Sequence, residues 1–270
     1  MKYILFVFLL SGIIFYSCNS DNAVESNTET SAYVKLLTAE SGNTKFELWS
    51  ATGSVLAYGY NEIGFKVFIN GTEKTDGFVK YKPVMYHFIG QTGHSCPVSS
   101  AFYYNSSKKL FTGYACFSMI SDSASNGQWT GYYNYNNASF VDSIPFTVLY
   151  SDNQLIEWDD IVGSNTYVLT LLKPKTPRLG INTFEVLFHK YIGNNLYAEI
   201  DSAVMSIKPW MPAHGHGSSS NVNPISFGSG RYEGKVNFNM QGEWYVYDTI
   251  KINNTIVTKN DPPRFIFNAQ

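Results

Sequence analysis

Charge is scarce in this chain: only 15% of its residues are Asp, Glu, Lys or Arg, and the formal net charge is −2. No Lys/Arg cluster stands out, so the basic stripe that phosphate backbones require is missing and nucleic acid is not an expected partner. A sustained helical period is absent too, which argues against a helical architecture. Hydrolase and nucleotide signatures are equally missing. There is no Gly-x-Ser-x-Gly elbow, no phosphate-cradling glycine loop and no His-Glu-x-x-His, so no enzymatic activity is expected. The acidic group Glu157, Asp159 and Asp160 beside Trp158 reads as a solvated turn. Cysteine is rare, with only Cys18, Cys96 and Cys116 present.

What the chain does have is aromatics: 20 Tyr, 19 Phe and 5 Trp. Aromatic and β-branched side chains fit pleated, half-buried surfaces, which points to an all-β protein. Segments such as Phe46–Trp49, Gly64–Ile69, Thr166–Leu172, Phe184–His189, Trp244–Ile252 and Arg264–Phe267 read as strands, separated by Gly, Asn, Asp and Pro clusters. Residues 231–240 alternate, with Tyr232, Gly234, Val236, Phe238 and Met240 on the apolar face and Arg231, Glu233, Lys235, Asn237 and Asn239 on the polar one. Such alternation marks a strand with one wet side.

The one long apolar run is N-terminal. Lys2 precedes Ile4–Tyr16, a stretch shorter than the roughly 20 residues a membrane helix needs and laid out like a secretory signal. It ends at Ser17-Cys18, which resembles the lipobox of bacterial lipoproteins. The expectation is a signal peptide over 1–17, lipid on Cys18, and an extracytoplasmic protein anchored to the outer membrane. Residues 18–32 are polar and slightly acidic and read as a flexible tether.

Comparing the chain with itself reveals the same ordered landmarks twice. Lys82-Pro83-Val84-Met85, Leu110-Phe111-Thr112-Gly113, Phe117-Ser118-Met119 and Gly127-Gln128-Trp129 recur as Lys208-Pro209-Trp210-Met211, Arg231-Tyr232-Glu233-Gly234, Phe238-Asn239-Met240 and Gly242-Glu243-Trp244. Upstream, Thr44–Leu48 mirrors Thr183–Leu187. Two tandem immunoglobulin-like β-sandwiches are expected, 33–150 and 151–270, with turn chemistry at Ser151-Asp152-Asn153 between them.

Histidine and methionine gather at one corner of each copy. In the second, Met211, His214 and His216 fall within six positions, and Met240 ends the alternating strand. Imidazole with thioether suits copper, above all Cu(I), better than hard cations. Met240 also fits core packing beside Phe238 and Val236, and two histidines in a Gly/Ser loop also fit simple solvation. The first copy offers the weaker set Met85, His87, His94 and Met119. Cys96 and Cys116 are present together there and absent together from the other copy. This favours a disulfide over two metal thiolates; such a bond would be worth about 3 kcal/mol in the chain-entropy picture.

The segment Met211-Pro212-Ala213-His214-Gly215-His216-Gly217, the strand Gly230–Gly234 and the turn Met240–Trp244 together resemble the YtkA-like (FixH-related) domain. That resemblance implies an immunoglobulin-like fold outside the cytoplasm and copper handling or oxidase assembly, with Met211, His214, His216 and Met240 at the site. A copper-accepting protein would then be the partner. The rival expectation is a surface module whose loops bind a protein or glycan without metal.

Overall fold

The computed structural model describes residues 33–87, 93–122, 127–138, 141–160, 163–258 and 262–270, with the backbone alone for 141–144. The expected signal peptide, Cys18 and the tether lie outside the described residues. Within them there are twenty-two strands and no helix.

The first eleven are β1 (Val34–Ser41), β2 (Thr44–Ser50), β3 (Leu56–Ala57), β4 (Gly59–Ile69), β5 (Thr72–Lys74), β6 (Phe78–Tyr86), β7 (Phe102–Asn105), β8 (Leu110–Phe117), β9 (Gln128–Tyr135), β10 (Val141–Phe146) and β11 (Val148–Leu149). The rest are β12 (Leu155–Asp159), β13 (Thr166–Lys173), β14 (Gly180–Gly193), β15 (Leu196–Glu199), β16 (Val204–Met211), β17 (His216–Gly217), β18 (Val222–Gly228), β19 (Arg231–Phe238), β20 (Gly242–Ile252), β21 (Thr255–Ile256) and β22 (Arg264–Ala269). Several hairpins turn on an Asn pair or Asn-Gly with positive φ at both positions, among them Asn70-Gly71, Asn136-Asn137, Asn194-Asn195 and Asn253-Asn254. Asn and Gly tolerate that left-handed backbone, whose twist matches the flanking strands.

Strand order is the same in both halves. The first reads β1-β2-β4-β8-β7-β6-β9-β10 with β5 on β4; the second reads β12-β13-β14-β19-β18 with β15 on β14, facing a layer in which β16 and β22 flank β20. One difference is that β7 pairs with both β8 and β6, joining the two layers of the first sandwich, whereas β18 pairs with β19 and meets β16 through the Asn223 side chain, which accepts from the Ile207 amide. Each sandwich has its own aromatic core, around Phe46, Phe65, Phe102, Phe111 and Trp129 in the first and Phe184, Phe188, Tyr232, Phe238 and Trp244 in the second.

This order corrects one equivalence drawn from the sequence. Thr183–Leu187 lies on β14, the neighbour of β19, so its counterpart is β4, the neighbour of β8, and not Thr44–Leu48 on β2. The side chains agree. Asn61 accepts from the Ala57 amide and donates to the Ala57 and Gly59 carbonyls. Asn182 accepts from the Arg178 amide and donates to the Arg178 and Gly180 carbonyls. Both bracket a glycine of positive φ, Gly59 and Gly180.

The polar face read on residues 231–240 is also only partly wet. The outward faces of β4 and β8 pack against β12, β13 and β14, where Tyr114, Cys116, Leu172 and Leu187 are buried with Tyr60 and Leu155 beside them, and Arg231 of β19 donates to the Tyr60 hydroxyl. Residues from Ser31 onward thus form one compact unit. Glu157 and Asp159, expected in a turn, lie on β12, while Asp160 does cap a turn, accepting from the Ser164 amide and the Asn165 side chain.

The expected Cys96–Cys116 disulfide is not formed: both thiols are free and buried. They serve different clusters. Cys96 joins the first core, whereas Cys116 faces the second sandwich beside Leu172 and Leu187. Burial holds both thiols protonated, Cys116 being pushed up to about 12.

Candidate functional site

The Met/His corners are built alike in the two sandwiches. In the second, β16 ends at Met211, and the amides of His214 and Gly215 both donate to the Met211 carbonyl, at 3.2 and 2.9 Å. The chain then returns as β17, pairing His216 with Met211 and Gly217 with Trp210. Glycine is required at 217, because a Cβ there would lie 2.8 Å from the Pro209 carbonyl oxygen. In the first sandwich the longer loop closes in the same way: His94 and Met85 exchange backbone hydrogen bonds of 2.7 and 3.1 Å. His94 is therefore the structural counterpart of His216.

A buried tryptophan organises each corner. Trp129 meets the His94 ring edge-on at 5.6 Å, and Trp244 meets His216 edge-on at 5.9 Å. Their indole N–H groups donate to the carbonyls of Met119 and Met240, at 3.1 and 2.9 Å. One indole thus fixes a histidine ring and the backbone of a methionine together. An expectation fails here: β19 stops at Phe238, and Met240 is 38% exposed, like Met119 at 41%, so neither packs in a core. Met85 and Met211 do, at 0% and 2% exposure. Each corner therefore has one thioether in the core and one open to solvent.

The two pairs of imidazoles differ. His87 and His94 stack with ring centroids 5.2 Å apart and Nε2 atoms 3.1 Å apart. His214 and His216 are 6.0 Å apart at their centroids, with His214 exposed and His216 Nδ1 lying 2.9 Å from the Gly217 carbonyl. The set that was weaker in sequence is the tighter one in space. Burial, aided by the neighbouring His87, lowers the pKa of His94 and so favours the neutral imidazole that a metal needs.

The donor set can be tested against a metal. Two nitrogens about 2.0–2.1 Å from one ion and 3.1 Å from each other subtend an angle of about 100°, close to tetrahedral. Among the described residues no group of three or more His, Cys, Asp or Glu side chains gathers for an ion. Thioether, the other donor type present in these corners, selects Cu(I) over hard cations. Sequence reasoning missed the two tryptophans as organisers. Their spacing from Met119 and Met240 was visible, but the indole-to-carbonyl bond was not.

The second corner lies within a stretch that matches a known family. Residues 161–247 match the family model described as YtkA-like. This is less than half of the chain and includes β16 to β19, the His loop and Met240. No curated protein matches. Among solved structures the chain is similar to FdeC, an Escherichia coli adhesin, at 13% identity and TM-score 0.28, over 86% of this chain and 65% of that one. It is similar to a C-terminal fragment of intimin at 9% identity and TM-score 0.23, over 77% and 57%. Domains 5–6 of the S-layer protein SbsC give 10% and 0.27, over 88% and 98%. The chain thus spans less than two thirds of the first two.

Proposed function

We propose that this chain, whose second half carries a YtkA-like domain, binds Cu(I) at the Met/His corners of its sandwiches and holds or passes on the ion without transforming a substrate. A YtkA-like domain is an extracytoplasmic module, and the Lys2 to Tyr16 run followed by Cys18 supports attachment to a membrane through lipid. The observation that carries the metal reading is the 3.1 Å approach of His87 Nε2 to His94 Nε2, with the backbone carbonyl of the exposed Met119 bonded to the same indole that meets His94. The second corner repeats the plan with Met240, His216 and His214. When bound, copper would be held by neutral imidazole and thioether. The buried indole would keep those ligands in place.

Anaerobic Cu(I) titration against a competing chelator tests this. Two ions per chain are expected, the tighter lost in His87→Ala/His94→Ala and the weaker in His214→Ala/His216→Ala. If neither pair of substitutions alters the affinity, the corners are not metal sites. The rival reading, a surface module contacting a protein or glycan, then takes over.

A further inference from the structure

Beside the first corner, but lined by none of the candidate ligands, lies a cleft of about 400 Å³ between the sandwiches, within the range of small-molecule sites, roughly 300–1,000 Å³. One wall is the outward face of β6 and β9, carrying Lys80, Lys82 and Asn134. The segment from Ser95 to Ser100 forms another, and Leu196 and Tyr197 of β15 close it from the second sandwich. Two cross-domain hydrogen bonds hold the walls together: Lys82 Nζ to the Asn194 carbonyl at 3.1 Å, and Asn195 Nδ2 to the Gly93 carbonyl at 2.7 Å.

Three features of this cleft ask for a ligand. Lys80 and Lys82 line it, and among the described residues neither has a carboxylate partner. Such a pair of ammonium groups favours an anion. Asn134 is only 5% exposed and its Nδ2 donates to the Ala138 carbonyl, yet its Oδ1 has no partner. The Tyr81 hydroxyl, on another lining residue, is equally buried and unpartnered. A buried acceptor without a donor destabilises the fold, so a ligand hydroxyl that satisfies Asn134 is favoured. Lastly, Tyr197, Leu196 and Val98 offer an apolar side.

We propose that the cleft binds a hydroxylated carboxylate of monosaccharide size, a sugar acid of the hexuronate class. The lysines take the carboxylate, a ring hydroxyl donates to Asn134 Oδ1, and the apolar side takes the sugar's C–H face. Inorganic phosphate meets the first demand but brings no C–H face for the apolar side. A neutral sugar meets the second and not the first.

Calorimetric titration of the full chain with D-glucuronate, D-glucose and inorganic phosphate tests the assignment. Glucuronate is expected to bind saturably at millimolar concentration or below, with glucose and phosphate at least about tenfold weaker. Lys80→Ala/Lys82→Ala should remove the preference over glucose, and Asn134→Leu should weaken glucuronate and glucose alike. The proposal is overturned by an absence of saturable glucuronate binding, by equal affinity for all three, or by an unchanged preference in the double-lysine variant. Cu(I) affinity measured on the same lysine variant reports that the fold is intact. Its persistence separates a failure here from a failure of the metal corners.

Discussion

Asp248 is fully buried on the inward face of β20, between Val246 and Ile250, and neither carboxylate oxygen has a hydrogen-bond partner. Burial raises its pKa well above the ordinary carboxylate range. A folded pKa above the unfolded one means that the native state must hold a proton the unfolded chain gives up. Stability is therefore intact below the unfolded value, near 4, and is lost as pH rises toward the folded one. Replacing Asp248 by Leu should stabilise the second sandwich by on the order of 1–3 kcal/mol at neutral pH, with a smaller gain near pH 4, as read by denaturant unfolding. A Leu variant less stable than the parent would show that the carboxyl group has a partner. His189 works in the opposite direction. It is buried, its Nδ1 is unpartnered, and its pKa falls from 6.5 to about 3 through desolvation. Tyr114 donates to Glu199 at 2.6 Å, so the 2.8 Å contact with His189 is made by the imidazole Nε2–H donating to the phenol oxygen. With its folded pKa depressed, His189 binds a proton only in the unfolded chain between pH 6.5 and 3, and stability falls as pH falls through that window. His189→Gln keeps a donor for Tyr114 and cannot titrate. Unfolding curves at pH 7 and pH 4 should diverge less for this variant than for the parent, by on the order of 3 kcal/mol at most. Equal divergence would place the acid sensitivity elsewhere.

At the scale of elements, periodicity was informative where a strand has one apolar and one polar face. Residues 231–238, read as a strand on that basis, form β19. It was misleading where both faces are covered. In β8 the inward residues Phe111, Ala115 and Phe117 are buried in the first core, while Tyr114 and Cys116 are buried by the other sandwich. One sequence cannot reveal which outward face will meet a neighbour, so Cys116 read as polar and available to Cys96. Aligning β2 with β14 failed for a similar reason. A Thr with Phe-Glu close behind it fits any strand, whereas the Asn61 and Asn182 brackets identify β4 and β14 through hydrogen bonds that composition does not display. The metal corners were legible as residue types. What escaped was their three-dimensional ranking, because the spacing from His87 to His94 hides a backbone bridge that brings the two Nε2 atoms together.

Over the whole molecule, the question is whether two sandwiches with separate cores unfold as one. Their shared surface combines apolar contacts around Leu172 and Leu187 with buried polar bonds. Arg231 pairs with Glu185 at 2.8 Å inside its own sandwich and reaches Tyr60 of the other at 3.1 Å. Tyr114 reaches back to His189 and Glu199. Because bonds to charged groups contribute about 1.5–3 kcal/mol, these two phenols carry much of the polar coupling. Phenylalanine at both positions keeps the rings and removes only the cross-domain hydrogen bonds. The parent is expected to melt in a single calorimetric transition whose van't Hoff and calorimetric enthalpies agree. Tyr60→Phe/Tyr114→Phe should split it into two, since each core remains whole while the linkage weakens. Tyr232→Phe serves as the control. Its hydroxyl donates to the Ile200 carbonyl at 2.9 Å within the second sandwich, so its loss should lower one melting temperature without separating the halves. If the double variant still melts as one unit, the apolar contacts around Leu187 and the remaining bonds, Lys82 to Asn194 and Asn195 to Gly93, suffice to couple the sandwiches. The buried bonds would then serve to set their relative orientation, and with it the walls of the cleft lined by Lys82 and Tyr197.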